Sequence, residues 1–253
     1  MSESEVGGLS VWNEQLRGKN IQGSTRVPVR EIIDYFQGNT KNLRGLDLGS
    51  GQGRSTKILK DSLIGSNITA LDLSTEGLAL TETKNRIQAK AEALPFEPES
   101  FDFINVCGVM TNLVGETEEE AKALRENVLT GLYDVLKPGG CIVISDFGAE
   151  HLLDDYNVNY KRHALITDEQ GTIAVLKSGE TFVGKSNEEI AAMRGTDVIE
   201  RYAHHYTPRE LAILLQSTGF IVDRYDVEIA QTPKGKKPIE NIIMLASKPA
   251  NST

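Results

Sequence analysis

The segment that most constrains the fold of this chain is Leu-Asp-Leu-Gly-Ser-Gly-Gln-Gly, at residues 46–53. A short apolar run leads directly into three glycines at alternate positions, and Asp72 follows the first of them by 23 residues. A glycine turn lets the backbone approach a ligand closely, and an acid at the end of the next strand can accept hydrogen bonds from a ribose. The pattern therefore predicts a strand, a turn and a helix that bind a nucleotide-containing ligand.

The spacing of the glycines separates two kinds of nucleotide site. In the dinucleotide fingerprint G-x-G-x-x-G, a pyrophosphate lies at the N-terminus of the following helix. Here Gly49, Gly51 and Gly53 alternate, and Arg54 stands where the third glycine of the fingerprint would fall. The spacing favours a nucleotide ligand but argues against a bound pyrophosphate.

Composition excludes several classes of partner. The chain has 253 residues and a net charge of −9, which argues against nucleic acid because phosphate binding draws on dense Lys and Arg. No apolar run approaches the ~20 residues that span a bilayer, and the polar N-terminus is unlike a signal peptide. We therefore expect a cytoplasmic protein that binds neither nucleic acid nor a membrane. The oligomeric state is left open.

The two cysteines are expected to be free. Cys107 ends one predicted strand and Cys141 begins the next, so on neighbouring parallel strands the thiols would lie roughly 16 Å apart. A disulfide requires Cα atoms within about 7 Å, so both cysteines are predicted to be small buried hydrophobic residues. No Cys/His spacing suggests zinc, and no metal site is predicted.

Strand-like and helix-like segments alternate from residue 28 to about 147, which predicts a parallel sheet with ligands outside the carboxyl ends of its strands. The rhythm breaks at 149–206, where 164–167 and 172–176 predict a hairpin and 181–183 is a candidate third strand. The predicted strands of the regular part are 43–48, 67–73, 87–91, 101–107, 141–147, 220–227 and 241–246, and the predicted helices are 29–36, 53–63, 75–86, one starting at the Thr117 cap and one starting at the Thr207 cap.

Five motifs in order resemble the class I S-adenosylmethionine-dependent methyltransferases, and within them the small-molecule methyltransferases. The motifs are LDLGSGQG, ALDLS, AEALPFEPESFDFI, LKPGG and TPREL…STGF. The resemblance implies an α/β fold: a Rossmann-like seven-stranded mixed sheet with one antiparallel edge strand, helices on both faces and an antiparallel lid insertion. The expected divisions are an N-terminal lid or helical segment at 1–40, the S-adenosylmethionine-binding core at 41–148, a substrate lid at 149–206 and the completion of the core at 207–253.

The resemblance also implies which residues contact the cofactor, S-adenosylmethionine. Asp47 would hold the turn and help receive the ammonium group, Asp72 would accept both ribose hydroxyls, and residues 91–94 would form a wall of the adenine pocket. The implied cofactor-binding residues are Asp47, Gly49, Ser50, Gly51, Gly53, Asp72, Leu73, Glu92, Ala93 and Cys107.

Lys90 departs from the family pattern, in which an acid just before this Ala-Glu-Ala-Leu stretch commonly contacts the adenine amine. Lysine has no acceptor capacity. Either backbone carbonyls or Glu92 replace that contact, or cofactor binding is weaker, or Lys90 simply points to solvent.

Methyl transfer requires an acceptor held in line with the methyl group and, for a hydroxyl or protonated amine, a base that takes its proton. His204 and His205 precede the TPREL helix, where the family places substrate-facing groups, and are candidate catalytic residues; they are equally explained as ordinary loop histidines. Candidate substrate contacts are Tyr156, Tyr160, Arg162 and Tyr206, although a solvated surface explains them about as well. Trp12 is a candidate part of an N-terminal lid.

The predicted reaction is methyl transfer to N, O or C of a small molecule. The strand end Asn105-Val106-Cys107-Gly108 lacks the Asn/Asp-Pro-Pro-Tyr/Phe motif, which disfavours amino methylation of a base or of glutamine. A non-catalytic, regulatory cofactor-binding protein of the same fold and methylation of a macromolecule stay open. The glycine spacing disfavours an NAD-dependent oxidoreductase.

Overall fold

Helices and strands alternate along the part of the chain that the computed structural model describes, which comprises residues 26–115, 117–148, 164–166, 172–176, 199–230 and 239–251. The helices are α1 (Val29–Tyr35), α2 (Arg54–Ser62), α3 (Thr75–Leu80), α4 (Glu118–Val135) and α5 (Pro208–Ser217), with a 3₁₀ helix at Met110–Asn112. The strands are β1 (Arg44–Leu48), β2 (Asn67–Asp72), β3 (Arg86–Gln88), β4 (Phe101–Cys107), β5 (Leu136–Phe147), β6 (Ala164–Ile166), β7 (Thr172–Leu176), β8 (Ile199–His204), β9 (Ile221–Ala230) and β10 (Ile239–Ser247).

Seven strands form one mixed sheet in the order β3-β2-β1-β4-β5-β10-β9. The strands pair in parallel from β3 to β5, whereas β10 is antiparallel to both β5 and β9. The strand order reverses between β1 and β4, which is where open α/β sheets form a ligand crevice. The sheet confirms the predicted Rossmann-like, seven-stranded mixed fold.

The position of the antiparallel strand corrects one expectation. The antiparallel strand was expected at the edge of the sheet, but β10 lies inside it and β9 forms the edge. The residues of the two strands explain this order. Residues 240–247 of β10 are buried throughout, whereas β9 carries several charged side chains, which are favourable at an edge exposed to water.

Two apolar layers cover the sheet. On one face, α4 and α5 contribute Leu132 and Leu215 to a core that includes Leu46 and Ile144 of the strands. On the other face, α1 contributes Ile32 and α2 contributes Leu59 to a core with Phe103 and Val143. Helices therefore lie on both faces, as predicted, and α1 is part of the core that supports the site.

A separate three-stranded antiparallel sheet has the order β6-β7-β8. Its first two strands confirm the predicted hairpin, with Ala164 opposite Val175. The candidate strand at 181–183 lies outside the described residues, and the third described strand is β8, which contacts the 3₁₀ helix after β4. The function of this insertion as a lid and the proposed division boundaries stay predictions.

The helix predicted over 75–86 ends earlier, at Leu80. Thr81 leaves the helix with extended backbone, and its hydroxyl lies 3.3 Å from the carbonyl oxygens of both Gly77 and Gly51. The chain therefore turns back over the glycine turn, a long-range contact that helical periodicity does not encode.

Cys107 and Cys141 form no disulfide, as predicted; Cys141 is buried as expected, whereas Cys107 is only half-buried. Cys107 pairs with Ser145, four positions above Cys141 on the neighbouring strand. In the described ranges, no helix is long and apolar enough to cross a membrane. The cytoplasmic location stays a prediction.

Two glycine-to-alanine variants test the packing around the sheet. A Cβ at Gly45 of β1 would lie 2.2 Å from Cζ of the fully buried Phe103, whereas a Cβ at Gly131 of α4 would meet only Cδ1 of Leu94, at 3.7 Å. We expect Gly45→Ala to lower the free energy of unfolding by about 1–3 kcal/mol. Gly131→Ala, the matched control, should raise it by about 0.5–1 kcal/mol because alanine favours the helix. Urea unfolding measures both, and equal stabilities of the two variants would contradict the packing described.

Candidate functional site

The glycine turn lies at the carboxyl end of β1, where the strand order reverses. The backbone N–H groups of Gly49 and Ser50 both donate to the carbonyl of Leu71, at 2.8 and 3.1 Å, so the turn is tied to β2. The N–H of Gly53 then donates to the carbonyl of Ser50 and leads into α2. The turn is therefore held from both sides before any ligand binds.

The three glycines have different surroundings, although each has a positive φ. A Cβ at Gly49 would lie 2.2 Å from Cγ2 of Val109, and one at Gly53 would lie 2.8 Å from Cα of Thr81. A Cβ at Gly51 would have no atom within 4 Å. Gly49 and Gly53 thus permit close packing of the protein on itself, whereas Gly51 faces the open space in which a ligand can lie.

Asp47 lies beneath the turn and joins three elements. Its Oδ1 accepts a hydrogen bond at 2.7 Å from Nδ2 of Asn105, the residue directly opposite it on β4. Its Oδ2 accepts from the hydroxyls of Ser55 and Thr56 in the first turn of α2. This network fixes α2 and β4 relative to β1.

The burial of Asp47 corrects its predicted role. The side chain is 0% exposed, and burial raises the pKa of its carboxyl group while the hydrogen bonds from Thr56, Asn105 and Ser55 oppose that rise. A ligand ammonium cannot reach a carboxylate that is closed off in this way. Asp47 is therefore a positioning residue: it holds the turn, as predicted, but does not face the ligand.

Asp72, at the end of β2, is the acid that faces the open space. Its Oδ2 accepts from the N–H of Gly51 at 2.7 Å, and its Oδ1 accepts from the N–H of Ser74 at 2.8 Å. Burial raises the pKa of this carboxyl group, against the effect of the backbone hydrogen bonds. The N–H of Leu73 also interacts with this carboxyl group. Because the two carboxylate oxygens together offer about four acceptor sites, the group retains capacity for a ligand hydroxyl beside these three donors.

The predicted adenine wall lies next to Asp72. The N–H of Ala89, just after β3, donates to the carbonyl of Asp72 at 3.2 Å, and residues 91–93 then form an exposed turn. Glu92 and Ala93 are exposed on this turn, and the carbonyl of Glu92 lies 3.5 Å from Nδ2 of Asn127. The structure brings the turn and Asp72 to one edge of the sheet, and their contacts with adenine stay predictions.

These residues fit S-adenosylmethionine. The pair of carboxylate oxygens on Asp72 matches a pair of neighbouring ribose hydroxyls, and Gly51 leaves room beside them. The hydroxyl of Ser50 is buried and has no hydrogen-bond partner within the described part of the chain, so a polar acceptor or donor is available under the turn. Leu73 follows Asp72 and is half-buried, consistent with an apolar contact at the same edge.

At the end of β4, Cys107 is half-buried and its thiol lies 3.7 Å from the carbonyl oxygen of Arg26. This contact places residue 26 beside the glycine turn. A contact between Cys107 and the cofactor stays a prediction. Within the described ranges, no three His, Cys, Asp or Glu side chains are grouped closely enough to hold a metal ion.

Asp146 of β5 is a second buried acid at this end of the sheet. It is 0% exposed and accepts hydrogen bonds from the N–H groups of Phe147 at 2.8 Å and Thr111 at 3.1 Å. The N–H groups of Met110 and Val109 also interact with it, but burial is the larger effect and raises the pKa of Asp146 to about 7. Asp146 thereby anchors the segment after β4, including the Val109 side chain that packs against Gly49.

The two candidate catalytic histidines differ in their surroundings. His204 is 0% exposed, its Nε2 lies 2.7 Å from Oε1 of Glu210 and its ring packs edge-on against Tyr206. His205 stacks on Phe147 at the end of β5, with ring centroids 5.3 Å apart. The position of His204 contradicts a direct role in the reaction, because its ring joins β8 to α5 beneath the surface.

The predicted substrate contact of Tyr206 is wrong. The side chain is 0% exposed, and its hydroxyl donates to the carbonyl of Met110 at 2.9 Å. The guanidinium of the buried Arg125 lies 5.7 Å from the ring centroid. Tyr206 therefore belongs to the core under the 3₁₀ helix. The other predicted substrate contacts, Tyr156, Tyr160 and Arg162, and the lid candidate Trp12 lie outside the described residues.

Three residues of the site were not singled out as functional from the sequence: Asn105, Thr81 and Asp146. Asn105 is a polar residue in an apolar strand, and it lies directly opposite Asp47 on the neighbouring strand. Two polar residues at equivalent positions of two adjacent predicted strands could therefore have indicated the hydrogen bond between them. Asp146 ends the next strand in the same way. The sequence does not indicate the contact of Thr81 with the turn, because this contact depends on the residue at which α3 ends.

The pH dependence of stability tests the environment of Asp146. The unfolded chain releases this proton at about pH 4, whereas the folded chain retains it until about pH 7. Between these values the folded state binds more protons than the unfolded state, so stability falls as the pH rises. We expect wild type to lose unfolding free energy relative to Asp146→Asn between about pH 4 and about pH 7. Asp61→Asn, at an exposed acid, should show no such pH-dependent difference, and a constant Asp146→Asn difference would contradict the assignment.

Comparisons with known proteins agree with this geometry. Residues 46–144 match the family model described as a methyltransferase domain. The chain is 38% identical over 147 residues to the demethylmenaquinone methyltransferase of Clavibacter sepedonicus, covering 55% of this chain and 50% of that protein. It is 30% identical over 154 residues to the ubiquinone/menaquinone biosynthesis C-methyltransferase UbiE of Proteus mirabilis, covering 56% and 57%. The chain thus spans about half the length of these curated relatives.

The structure also resembles a solved S-adenosylmethionine-dependent methyltransferase from Methanosarcina mazei. The TM-score is 0.65 at 23% identity, and the match covers 83% of this chain and 94% of the other. This likeness supports the fold, while the family-model match at 46–144 contains the strands and turns that form the site. Residues 46–144, which contain the glycine turn and Asp72, therefore match a methyltransferase domain, in a chain whose fold resembles that of a solved S-adenosylmethionine-dependent methyltransferase.

Proposed function

We propose that this protein transfers a methyl group from S-adenosylmethionine to a nitrogen, oxygen or carbon atom of a small molecule. The observation that carries the proposal is the juxtaposition of Gly51, which faces open space, with the half-buried carboxylate of Asp72 at the reversal of strand order. The family match at 46–144 covers this juxtaposition and supports its use for the superfamily's cofactor.

The residues of the chain would act mainly by binding and positioning. When bound, S-adenosylmethionine supplies a methyl group on a positively charged sulfur. Asp72 accepts hydrogen bonds from the ribose hydroxyls, and the backbone at Gly51 admits the ligand to the turn. Asp47 and Asp146 keep the segments after β1 and β4 in place, so that the acceptor meets a preformed surface. Such orientation is a large part of the catalysis available to a displacement reaction.

The small-molecule acceptor is proposed from two observations. The curated relatives are named for demethylmenaquinone and for ubiquinone and menaquinone biosynthesis, which makes a demethylated quinone or its reduced form the first acceptor class to screen. The family-model match ends at residue 144, so residues 149–206 are proposed to set which acceptor is methylated. The antiparallel sheet of β6, β7 and β8 is proposed as the base of a substrate lid.

We assign the candidate proton acceptor to His205 rather than His204. Both rings are buried, at 0% exposure for His204 and 4% for His205, but His205 stacks on Phe147, which ends β5 beside the site, whereas His204 is held by Glu210 and Tyr206. A base is needed only if the acceptor loses a proton, so this role applies to a hydroxyl, a protonated amine or an activated ring carbon.

Cofactor binding to Asp72 variants tests the proposal. Loss of charge-assisted hydrogen bonds worth about 1.5–3 kcal/mol each should weaken binding by at least about tenfold in Asp72→Ala. Isothermal titration with S-adenosylmethionine and S-adenosylhomocysteine measures the effect. Asp61→Ala, at an exposed acid of α2, is the matched control and should bind like wild type.

The outcomes separate the alternatives. Folded wild type that binds neither ligand, alone or with an acceptor present, would contradict the proposal. Binding without turnover across small-molecule and macromolecular acceptors would favour a regulatory cofactor-binding protein. The regulatory alternative is tested because Lys90 stands where the family usually has an acid, and lysine cannot accept a hydrogen bond from the adenine amine.

Variants of the two histidines test the assignment of the base. With an acceptor from the screen, His205→Gln should lower kcat by about 10²-fold or more while leaving the Kd for S-adenosylhomocysteine unchanged. His204→Gln should instead lower the melting temperature, because it disturbs the buried contact with Glu210. If His205→Gln keeps full kcat across the pH range, His205 is not the base.

A further inference from the structure

Strand β9 combines an open sheet edge with exposed apolar side chains. In the described part of the chain it has a paired strand, β10, on one side only. Ile221, Tyr225 and Val227 of β9 are 53%, 54% and 37% exposed, which is half of the exposed large hydrophobic residues in the described ranges. An edge strand with unpaired backbone groups can pair with another strand, and clustered exposed apolar residues mark interaction surfaces.

The pairing with β10 shows which face each side chain of β9 occupies. Tyr225 lies opposite Met244, in the core layer under α4 and α5, whereas Arg224 lies opposite Leu245 and Asp226 opposite Ile243, in the layer under α1 and α2. Directly opposite residues share a face of the sheet. From Arg224 to Val227, the apolar side chains therefore lie on one face of the edge and charges of both signs lie on the other, whereas Ile221, opposite Ser247, lies on the charged face.

We propose that β9 pairs antiparallel with β9 of a second copy of this chain, with Tyr225 opposite Tyr225 of the other copy. The two seven-stranded sheets would then join into one continuous sheet across a two-fold axis. This axis is perpendicular to the sheet, so each side chain stays on the same face in both copies. Directly opposite residues share a face and consecutive residues do not, so the symmetric register must place one residue opposite the same residue of the other copy.

Charge complementarity selects this register among the symmetric registers centred on residues 224–227. Centring the pair on Tyr225 places Arg224 of each copy opposite Asp226 of the other, which gives two oppositely charged pairs. Centring on Arg224 or on Asp226 opposes like charges at the axis, and centring on Val227 places Asp226 opposite Glu228 twice. Like charges directly opposite each other destabilise a strand pair.

The register centred on Asp223 is disfavoured by the backbone. Leu245 pairs with Arg224 while the next residue, Ala246, pairs with Val222, so Asp223 is the extra residue of a bulge. A bulge interrupts the regular ladder that a second strand needs. The ladder with β10 is regular from Arg224 to Ala230, and Tyr225 lies within this stretch.

Arg224 can serve this contact without losing its existing one. Its Nη2 lies 3.5 Å from Oδ2 of Asp34 in α1, and both side chains remain nearly half-exposed. A guanidinium has five donors, so it can pair with a second carboxylate on the same face. Asp34 also supplies a control, because its removal breaks the contact within the chain and leaves β9 unchanged.

A charge swap tests the interface in the full-length protein. Sedimentation velocity over a concentration series should show a dimer for wild type. Arg224→Asp or Asp226→Arg alone should raise the dimer dissociation constant by about tenfold, because each variant opposes like charges twice. The double variant Arg224→Asp/Asp226→Arg should restore wild-type association, and Asp34→Ala should not weaken it.

Two results of this experiment would overturn the proposal: a wild type that is monomeric at every concentration, and a dimer that both single variants leave unchanged. Thermal unfolding of each variant shows whether a loss of association reflects misfolding, and recovery in the double variant would exclude that cause.

A cysteine pair tests the register directly. In the proposed register, Tyr225→Cys places two thiols opposite each other, so a short bis-maleimide should link the two copies. Val227→Cys places its thiols about four residues apart along the strands, roughly 13 Å, and should link far less. Wild type, with half-buried Cys107 and buried Cys141, gives the background. Stronger linking through position 227 than through 225 would overturn the register.

Discussion

The buried carboxylate of Asp47 is the interaction on which the site depends. It accepts hydrogen bonds from Asn105 of β4 and from Ser55 and Thr56 of α2, and so fixes the two elements on either side of the glycine turn. An acid without exposure is costly unless its oxygens are hydrogen-bonded, and here three donors meet them. Removing those donors or the acid would leave buried polar groups unpaired on several elements at once.

Asp72 connects the glycine turn to the ligand side of the site. Its two oxygens hold the N–H groups of Gly51 and Ser74, so the residue that faces the ligand also shapes the turn on which the ligand lies. The charge of Asp72 also contributes to the raised pKa of Asp47. The site is thus a layered arrangement, with a closed acid below for positioning and an open acid above for binding.

Much of the fold follows from local sequence signals. The alternation of apolar strands and capped helices predicts the sheet, and Thr117 and Thr207 cap their helices by accepting from the N–H groups of Glu120 and Glu210, at 3.2 and 3.1 Å. Long-range contacts limit such predictions. Thr81 ends α3 because it packs over the turn, and the buried β10 lies inside the sheet because its apolar run needs cover on both faces.

The sequence by itself determined the strand–turn–helix unit, because three glycines at alternate positions and a strand-end acid constrain the backbone locally. Only the tertiary structure decided which polar residues face a ligand, because exposure depends on what packs above each side chain. Asp47 and Asp72 both end predicted strands, yet one is sealed under α2 and the other opens beside Gly51. His204 and Tyr206 were candidates by position in the sequence, and packing against Glu210 and Met110 placed them in the interior.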